Sequence, residues 1–131
     1  MPTFTKHFVD VEKWLVNYLG DIAPVYVVTP SQINSTIIQV TRVGGSSDRF
    51  TDRPRVEIAV YVPEGDPAGA RMRAWELTEQ IRNRIDGAAG VAVDGLVCDS
   101  GRIDNPPQMI PDLNSSIRRV VTTVQLSFRR Q

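Results

Sequence analysis

The feature that most constrains the fold is a long β-hairpin in residues 35–62, which read STIIQVTRVGGSSDRFTDRPRVEIAVYV. Two segments with alternating apolar and polar residues flank the polar, glycine-rich run GGSSDR at 44–49. The apolar residues that share one face are Ile38, Val40, Val56, Ile58, Val60 and Val62. We therefore predict two paired strands with one face turned toward the core, joined by an extended and mobile tip.

Length and charge narrow the class of protein. A chain of 131 residues is long enough to form a single domain over residues 1–131 that buries about two thirds of its unfolded surface. Fifteen Lys and Arg residues balance fifteen Asp and Glu residues, which disfavours a protein that holds nucleic acid by its phosphates. No apolar run reaches the length of a signal-peptide core or a membrane span. We expect a soluble protein, made inside the cell, with no membrane partner.

The single cysteine limits the covalent and metal chemistry. Cys98 has no second cysteine with which to form an internal disulfide, and one thiol cannot support a structural zinc site. It follows Leu96 and Val97, and this apolar setting predicts a buried, inert thiol in a reducing compartment.

The first predicted helix runs from about Phe8 to Ala23 and ends at Pro24. Its apolar residues recur at helical spacing, so they fall on one face. These residues are Val11, Trp14, Leu15, Tyr18, Leu19 and Ile22.

The second predicted helix starts at Asp66-Pro67, an N-cap followed by proline at the first helical position, and runs to about Ile85. Gly87 lies where a C-terminal stop is expected. The residues of its core stripe are Ala70, Ala74, Leu77, Ile81 and Ile85.

Met72 and Trp75 lie on a ridge outside that stripe. A tryptophan buries about 150–250 Å², so some surface should cover this ridge. Two interpretations stay open: the first helix or residues 106–113 cover it within one chain, or it forms a subunit interface, where Trp, Met and Arg are enriched.

The remaining segments complete an α+β pattern. A short strand is predicted at residues 25–29 and a long, regularly alternating one at 117–128, while residues 91–93 and 96–103 form a strand pair or one bent strand broken at Asp94-Gly95. The prolines in 104–114 predict a stiffened loop. The element order is α-β-β-β-α-β-β, and we predict two helices packed on one face of a largely antiparallel or mixed sheet, with a long hairpin loop.

No residue pattern predicts catalysis, a cofactor or a metal. His7 is the only histidine and has no acidic or cysteine partner at metal spacing, which favours a solvated or capping role. The GGSS run lacks the Gly-Lys-Ser/Thr of a phosphate cradle. Asp94, Asp99 and Asp104 lie near turns and strand ends, where aspartate commonly caps backbone amides. We expect a protein that is not an enzyme.

Two arginine pairs allow two interpretations. Arg118-Arg119 and Arg129-Arg130 lie at the ends of the last predicted strand. They are either solvated strand ends or anchors at a protein interface.

Three segments together resemble one protein family. VEKWLVNYL at 11–19, TRVGGSSDRFTDRPRVEIAV at 41–60 and NSSIRRVVTTV at 114–124 are similar to the tail terminator proteins of long-tailed, siphovirus-type bacteriophages, particularly phages of actinobacteria. The resemblance covers nearly the whole chain in element order. The hairpin segment is its most distinctive part.

The resemblance implies a structural virion protein that is made in the host cytoplasm and placed at the head-proximal end of the tail. Such proteins form a hexameric ring that caps the tail tube, ends its polymerisation and presents a surface to the neck. The implied partners are other copies of the chain, the tail tube protein and the neck or head-tail connector proteins, with genome DNA passing through the lumen without specific binding.

The residues assigned to ring or tube contacts come from the hairpin signature and from the helix ridge. They are Arg42, Asp48, Arg49, Asp52, Arg53, Met72 and Trp75. The family has no catalytic residues to transfer. Two alternatives stay open: another connector component such as a stopper or head-completion protein, and a small enzyme or ligand-binding α+β domain.

Overall fold

A computed structural model describes residues 8–64, 69–111 and 116–129 of the chain. Within these residues the elements are α1 (Val11–Leu19), β1 (Val25–Tyr26), β2 (Ile37–Ser47), β3 (Thr51–Pro63), α2 (Ala70–Asp86), β4 (Ala92–Val93), β5 (Leu96–Val97), β6 (Ser100–Pro111) and β7 (Ile117–Arg129). None of the helices in these ranges is long and apolar enough to cross a membrane.

The main sheet has five strands in the order β1-β2-β3-β7-β6. β1 runs parallel to β2, and the other neighbours are antiparallel. β4 and β5 form a separate small hairpin. α1 packs against β1 and β2, while α2 packs against β3, β7 and β6. The predicted α+β class and its mixed sheet with two helices are confirmed.

The core lies between the helices and one face of the sheet. All six apolar residues predicted for the inner face of the hairpin are buried, as is the whole predicted stripe of α2. Each fully buried Val, Leu or Ile contributes about 1.5–3 kcal/mol relative to exposure. A smaller cluster on the opposite face consists of Ile37, Ala59, Tyr61 and Ile117.

α1 is shorter than predicted at both ends. The Asp10 carboxylate accepts a hydrogen bond from the Lys13 amide at 3.2 Å, which fixes the start of the helix at Val11. Gly20 is the C-cap and a turn follows, so the helix ends before Pro24. Trp14 anchors α1, because its indole N–H donates to the Leu96 carbonyl at 2.9 Å.

β1 is also shorter than the predicted strand at 25–29. Val27 and Val28 leave the sheet, and Val28 is 79% exposed. Because β1 and β2 are parallel neighbours, the chain after Tyr26 has to travel back to the start of β2 at Ile37.

Residues 100–111 form a strand, which corrects the prediction of a loop from residue 104 onward. β6 lies at the edge of the sheet and pairs only with β7. Its register shifts between Ile103 and Asn105 and again between Asn105 and Gln108, so Pro106 and Pro107 fall in an irregular stretch. Proline is tolerated at an edge or a bulge because no second strand needs its missing donor. Residues 112–114 lie outside the described residues.

The predicted helix and turn signals near α2 are partly confirmed. The Gly87 amide closes α2 by donating to the Asn83 carbonyl at 3.1 Å. Asp94 and Gly95 form the turn between β4 and β5, so the first part of that segment is a strand pair. The predicted strand at 96–103 is wrong as a single element, because Leu96–Val97 is β5 and residues 100–103 belong to β6 in the main sheet.

The predicted start of α2 at Asp66-Pro67 is wrong, because the helix begins at Ala70 and Gly69, with a positive φ of 87°, is its N-cap. Asp66 and Pro67 themselves lie outside the described residues.

Candidate functional site: the β2–β3 hairpin

The long hairpin is confirmed, but its tip is shorter than predicted. β2 and β3 pair from Ile37 opposite Tyr61 as far as Ser47 opposite Asp52. Only residues 48–50 form the turn. β7 runs beside β3 up to the pair Thr51 and Arg129, so a third strand supports the end of the hairpin. Residues 44–47, predicted to belong to a loop, are part of β2.

Gly45 has a packing role in this segment. The register shifts between Arg42 and Gly44, which leaves Val43 as an extra residue in β2. Gly45 has a positive φ of 116°. A Cβ at Gly45 would clash with the Arg53 carbonyl oxygen and would lie 2.8 Å from the Arg55 nitrogen and 2.9 Å from the Pro54 Cα. Glycine lets the two strands stay close beyond the bulge.

Arg42 and Asp52 join the two strands below the turn. The two guanidinium Nη atoms donate to the two carboxylate oxygens at 2.7 and 2.8 Å. Asp52 is 2% exposed, whereas the Arg42 side chain is 37% exposed. The hydrogen bond to Asp52 raises the pKa of the Arg42 guanidinium above its ordinary value. The pair therefore holds the hairpin within one chain, and Asp52 contributes no exposed surface to a partner.

Asp48 shapes the turn itself. Its carboxylate accepts hydrogen bonds from the Phe50 amide at 2.9 Å and the Thr51 amide at 2.8 Å, and it lies 3.3 Å from Arg53 Nη1. The bonds to the two amides, chiefly that from Phe50, hold the pKa of Asp48 below its ordinary value. An aspartate that accepts from the amides following it is a usual way to fix a tight turn.

The turn presents a large apolar side chain. Phe50 is 60% exposed, and Val43 at the bulge is 49% exposed. Arg49, between Asp48 and Phe50, is exposed as well. Phe50 and Val43 were not among the residues predicted to form the contact surface, although a phenylalanine between two polar residues of a predicted turn was a usable signal.

Two arginines share one carboxylate on the face of the sheet opposite the helices. Arg55 Nε lies 2.8 Å from Asp104, and Arg102 lies 3.7 Å from the same carboxylate. Arg102 also donates to Gln125, which pairs with Arg55 across β3 and β7. Asp104 and Gln125 therefore hold Arg55 and Arg102 in place on this face.

The two residues of the helix ridge have different environments. Met72 is 66% exposed near the start of α2. Trp75 is half-buried and packs against the main core. Part of the Trp75 surface is thus covered within the chain, whereas Met72 keeps most of its surface open to a partner.

The other candidate residues form no catalytic or metal arrangement within the described ranges. Asp94 accepts a hydrogen bond from Asn17 at 3.1 Å, and Asp99 lies 3.5 Å from Arg129. Across residues 8–64, 69–111 and 116–129 no group of His, Cys, Asp and Glu is placed to hold a metal ion. Cys98 is buried as predicted, and burial raises the pKa of its thiol. His7 lies outside these ranges.

The two arginine pairs are placed near strand ends. Arg118 lies at the start of β7 and donates to Glu64 at 2.8 Å. The next residue, Arg119, has a buried Nε that bonds to no group among the described residues. The Arg129 side chain is 81% exposed, and Arg130 lies outside the described residues. Exposure of Arg118 and Arg129 fits solvated strand ends, and the interface interpretation stays a prediction.

No protein-family model and no curated protein matches the chain. The fold is similar to that of a chain from the virion of a native gene transfer agent particle, with a TM-score of 0.59 and 11% identity. That superposition covers 88% of this chain and 84% of the other. A second solved chain is similar with a TM-score of 0.45 and 18% identity. That superposition covers 92% of this chain and 90% of the other. At these identities the first comparison establishes a shared fold, and no argument rests on the second.

Proposed function

We propose that this chain is a structural virion protein. More specifically, we propose that it is a tail terminator, six copies of which form a ring that caps the head-proximal end of a tail tube. The observation that carries the virion role is the fold shared with a virion chain over most of both lengths. The finer assignment comes from the sequence resemblance, whose most distinctive segment is the β2–β3 hairpin.

The geometry of the hairpin supports a role in assembly. Three strands and the Arg42–Asp52 pair hold it, so the turn can project a defined surface. That surface combines a charged residue with an exposed aromatic one, Arg49 and Phe50. Aromatic and arginine side chains are enriched at the centres of protein interfaces. We assign Arg42, Asp48 and Asp52 to positioning the turn, and Arg49, Phe50, Arg53 and Met72 to contacts with partners.

The mechanism of termination follows from symmetry. A tube that grows in layers offers the same face after each addition, so growth stops when a final ring binds that face and offers a different one outward. A head-to-tail contact that closes into a ring limits itself to one layer, whereas an open contact would continue as a filament. In this proposal the chain contacts its own copies, the tube and the neck proteins, and no step requires a catalytic residue. Genome DNA passes through the lumen without specific binding.

A second connector role is compatible with the same fold. A stopper or head-completion protein would also be a ring-forming virion component at the neck. The two roles differ in partner, because only a terminator binds the end of the tail tube.

Native mass spectrometry of the purified protein, alone and with tail tube protein, tests the proposal. We expect a six-copy ring that forms on tube ends, at lower protein concentration than without tubes. Deleting the gene from a phage that carries it should give overlong tubes or unattached tails while capsids still fill with DNA. Tails of normal length joined to heads, or a block in DNA packaging, would replace the terminator role by another neck or capsid role.

A further inference from the structure

One edge of the main sheet is only partly covered by a strand. β1 pairs with β2 at Ile38 and Gln39. From there to Ser47, on the side away from β3, β2 pairs with no strand among the described residues. An open strand edge is a template for pairing with another chain, and natural proteins commonly block it.

The direction of the amides identifies what blocks this edge. The Ile38 amide points away from β3, because it donates to the Pro24 carbonyl at 2.8 Å. Amide direction alternates along a strand, so the Arg42 amide, four residues on, points to the same side. The Glu12 carboxylate of α1 accepts from that amide at 3.2 Å. It occupies the position that the carbonyl of an incoming strand would need.

The shape of β2 adds to this effect. Directly after Arg42 the strand bulges at Val43, and a bulge increases local twist and disrupts a flat edge. The Arg42 side chain meanwhile turns to Asp52 and donates through Nε to the Gly44 carbonyl at 3.2 Å. At Arg42 and Val43 the edge of β2 is therefore both blocked by a carboxylate and twisted by a bulge.

The other edge of the sheet is blocked by different chemistry. Pro106 and Pro107 lie where the register of β6 shifts between Asn105 and Gln108, and neither has an amide hydrogen to donate. The Asn105 carbonyl accepts from the Thr122 hydroxyl at 2.7 Å. An added strand would find irregular spacing there and no amide hydrogen on either proline.

We propose that Glu12 blocks strand addition at the β2 edge and that Pro106 and Pro107 block it at the β6 edge. Copies of this chain therefore associate through side-chain surfaces and never by pairing of their edge strands. This inference goes beyond the terminator role, because it holds for any assembly the chain forms. Its basis is the contact of a helix carboxylate with an outward-facing strand amide, together with the irregular second edge.

The test compares Glu12→Ala with two controls. Glu12→Gln keeps an acceptor oxygen for the Arg42 amide, and Glu76→Ala removes an exposed carboxylate of α2 that pairs with Arg73. Hydrogen exchange measures protection of the Arg42 amide. Size-exclusion chromatography with light scattering measures association across a concentration series, and circular dichroism checks the fold.

We expect the Arg42 amide of Glu12→Ala to exchange at least tenfold faster, and irregular oligomers to form at a concentration at least tenfold lower than for either control. Unchanged exchange, or the same association behaviour as the controls, overturns the role of Glu12. Closed rings of one size in Glu12→Ala alone would also overturn it, since the edge would then be the ring contact itself.

A second variant keeps the proposal testable if Glu12→Ala does not fold. The double change Pro106→Thr and Pro107→Thr gives residues 106 and 107 an amide hydrogen each, so that a donor is available to the β6 edge. We expect irregular, concentration-dependent oligomers of this variant as well. A folded double variant with the association behaviour of the parent chain would show that the prolines do not protect this edge.

Discussion

Asp52 lies almost fully buried and accepts both guanidinium bonds of Arg42, at 2.7 and 2.8 Å, across the two strands of the hairpin. A buried carboxylate needs such a partner, because an unpaired charge inside a protein is costly. The conformation of the turn at residues 48–50 therefore depends on this one side-chain contact between the two strands that flank it.

Arg42→Ala should destabilise the folded chain by about 3 kcal/mol, the lower end of the range for breaking a buried ion pair, since Arg42 itself is partly exposed. Urea unfolding measures this as a lower midpoint at unchanged slope. The matched control is Arg82→Ala, which removes an exposed pair with Glu79 at 3.8 Å and should cost about 0–1 kcal/mol. Equal losses in the two variants would contradict the structural role of the Arg42–Asp52 pair.

The turn should loosen in acid because of Asp48. The amides of Phe50 and Thr51 depress the pKa of Asp48 in the folded chain, so the charged form stabilises the turn above the unfolded pKa. That contribution is lost as the pH falls below the ordinary aspartate pKa of 3.8 and through the folded value. Nuclear magnetic resonance should give a depressed pKa for Asp48 and faster exchange of the Thr51 amide once the carboxyl is protonated. Asp48→Asn should abolish the pH dependence of that exchange, and an ordinary pKa would contradict the turn geometry.

The sequence predicted those parts of the fold that depend on local periodicity. The inner face of the hairpin and the stripe of α2 follow from repeats of two and about 3.6 residues, which the buried residues match. The long final strand was found for the same reason. Such patterns record which side of an element is buried, whatever packs against it.

The errors concern features that tertiary pairing decides. Prolines exclude a segment from the sheet interior, but only pairing with β7 makes residues 100–111 an edge strand that tolerates them. Gly45 is part of β2 because it pairs with Pro54 of β3, whose backbone lies too close for a side chain at residue 45. Asp52 was assigned to a contact surface because it lies in the hairpin segment that carries the family resemblance, and its burial depends on Arg42 in the opposite strand. None of these neighbours can be identified from local sequence.

Substitutions of Met72 and Trp75 should distinguish effects on assembly from effects on the stability of the monomer. Trp75 packs partly on the core, so Trp75→Ala should lower the free energy of unfolding by about 2 kcal/mol, below the range of about 3–5 kcal/mol for a fully buried aromatic residue. Met72→Ala should change it by less than about 0.5 kcal/mol, because the side chain is largely exposed. Urea unfolding of the monomer and native mass spectrometry of the assembled ring measure the two effects. If Met72 lies at a contact, Met72→Ala weakens the ring with the monomer unaffected; an unchanged ring would remove Met72 from the interface.

Phe50→Ala should weaken assembly more than any change that leaves the hairpin intact. The side chain is 60% exposed at a turn whose amides Asp48 fixes, so its removal should alter monomer stability by less than about 0.5 kcal/mol. An aromatic anchor that becomes buried at an interface is worth about 2 kcal/mol or more, which corresponds to at least a tenfold loss of affinity for the partner. Binding of the purified chain to tail tube ends, measured by co-sedimentation, provides the readout. The control is Val28→Ala, which trims a more exposed apolar residue far from the turn in sequence. Equal binding by the two variants would remove Phe50 from the contact surface, and a loss confined to Phe50→Ala would support the assignment of the hairpin turn to assembly.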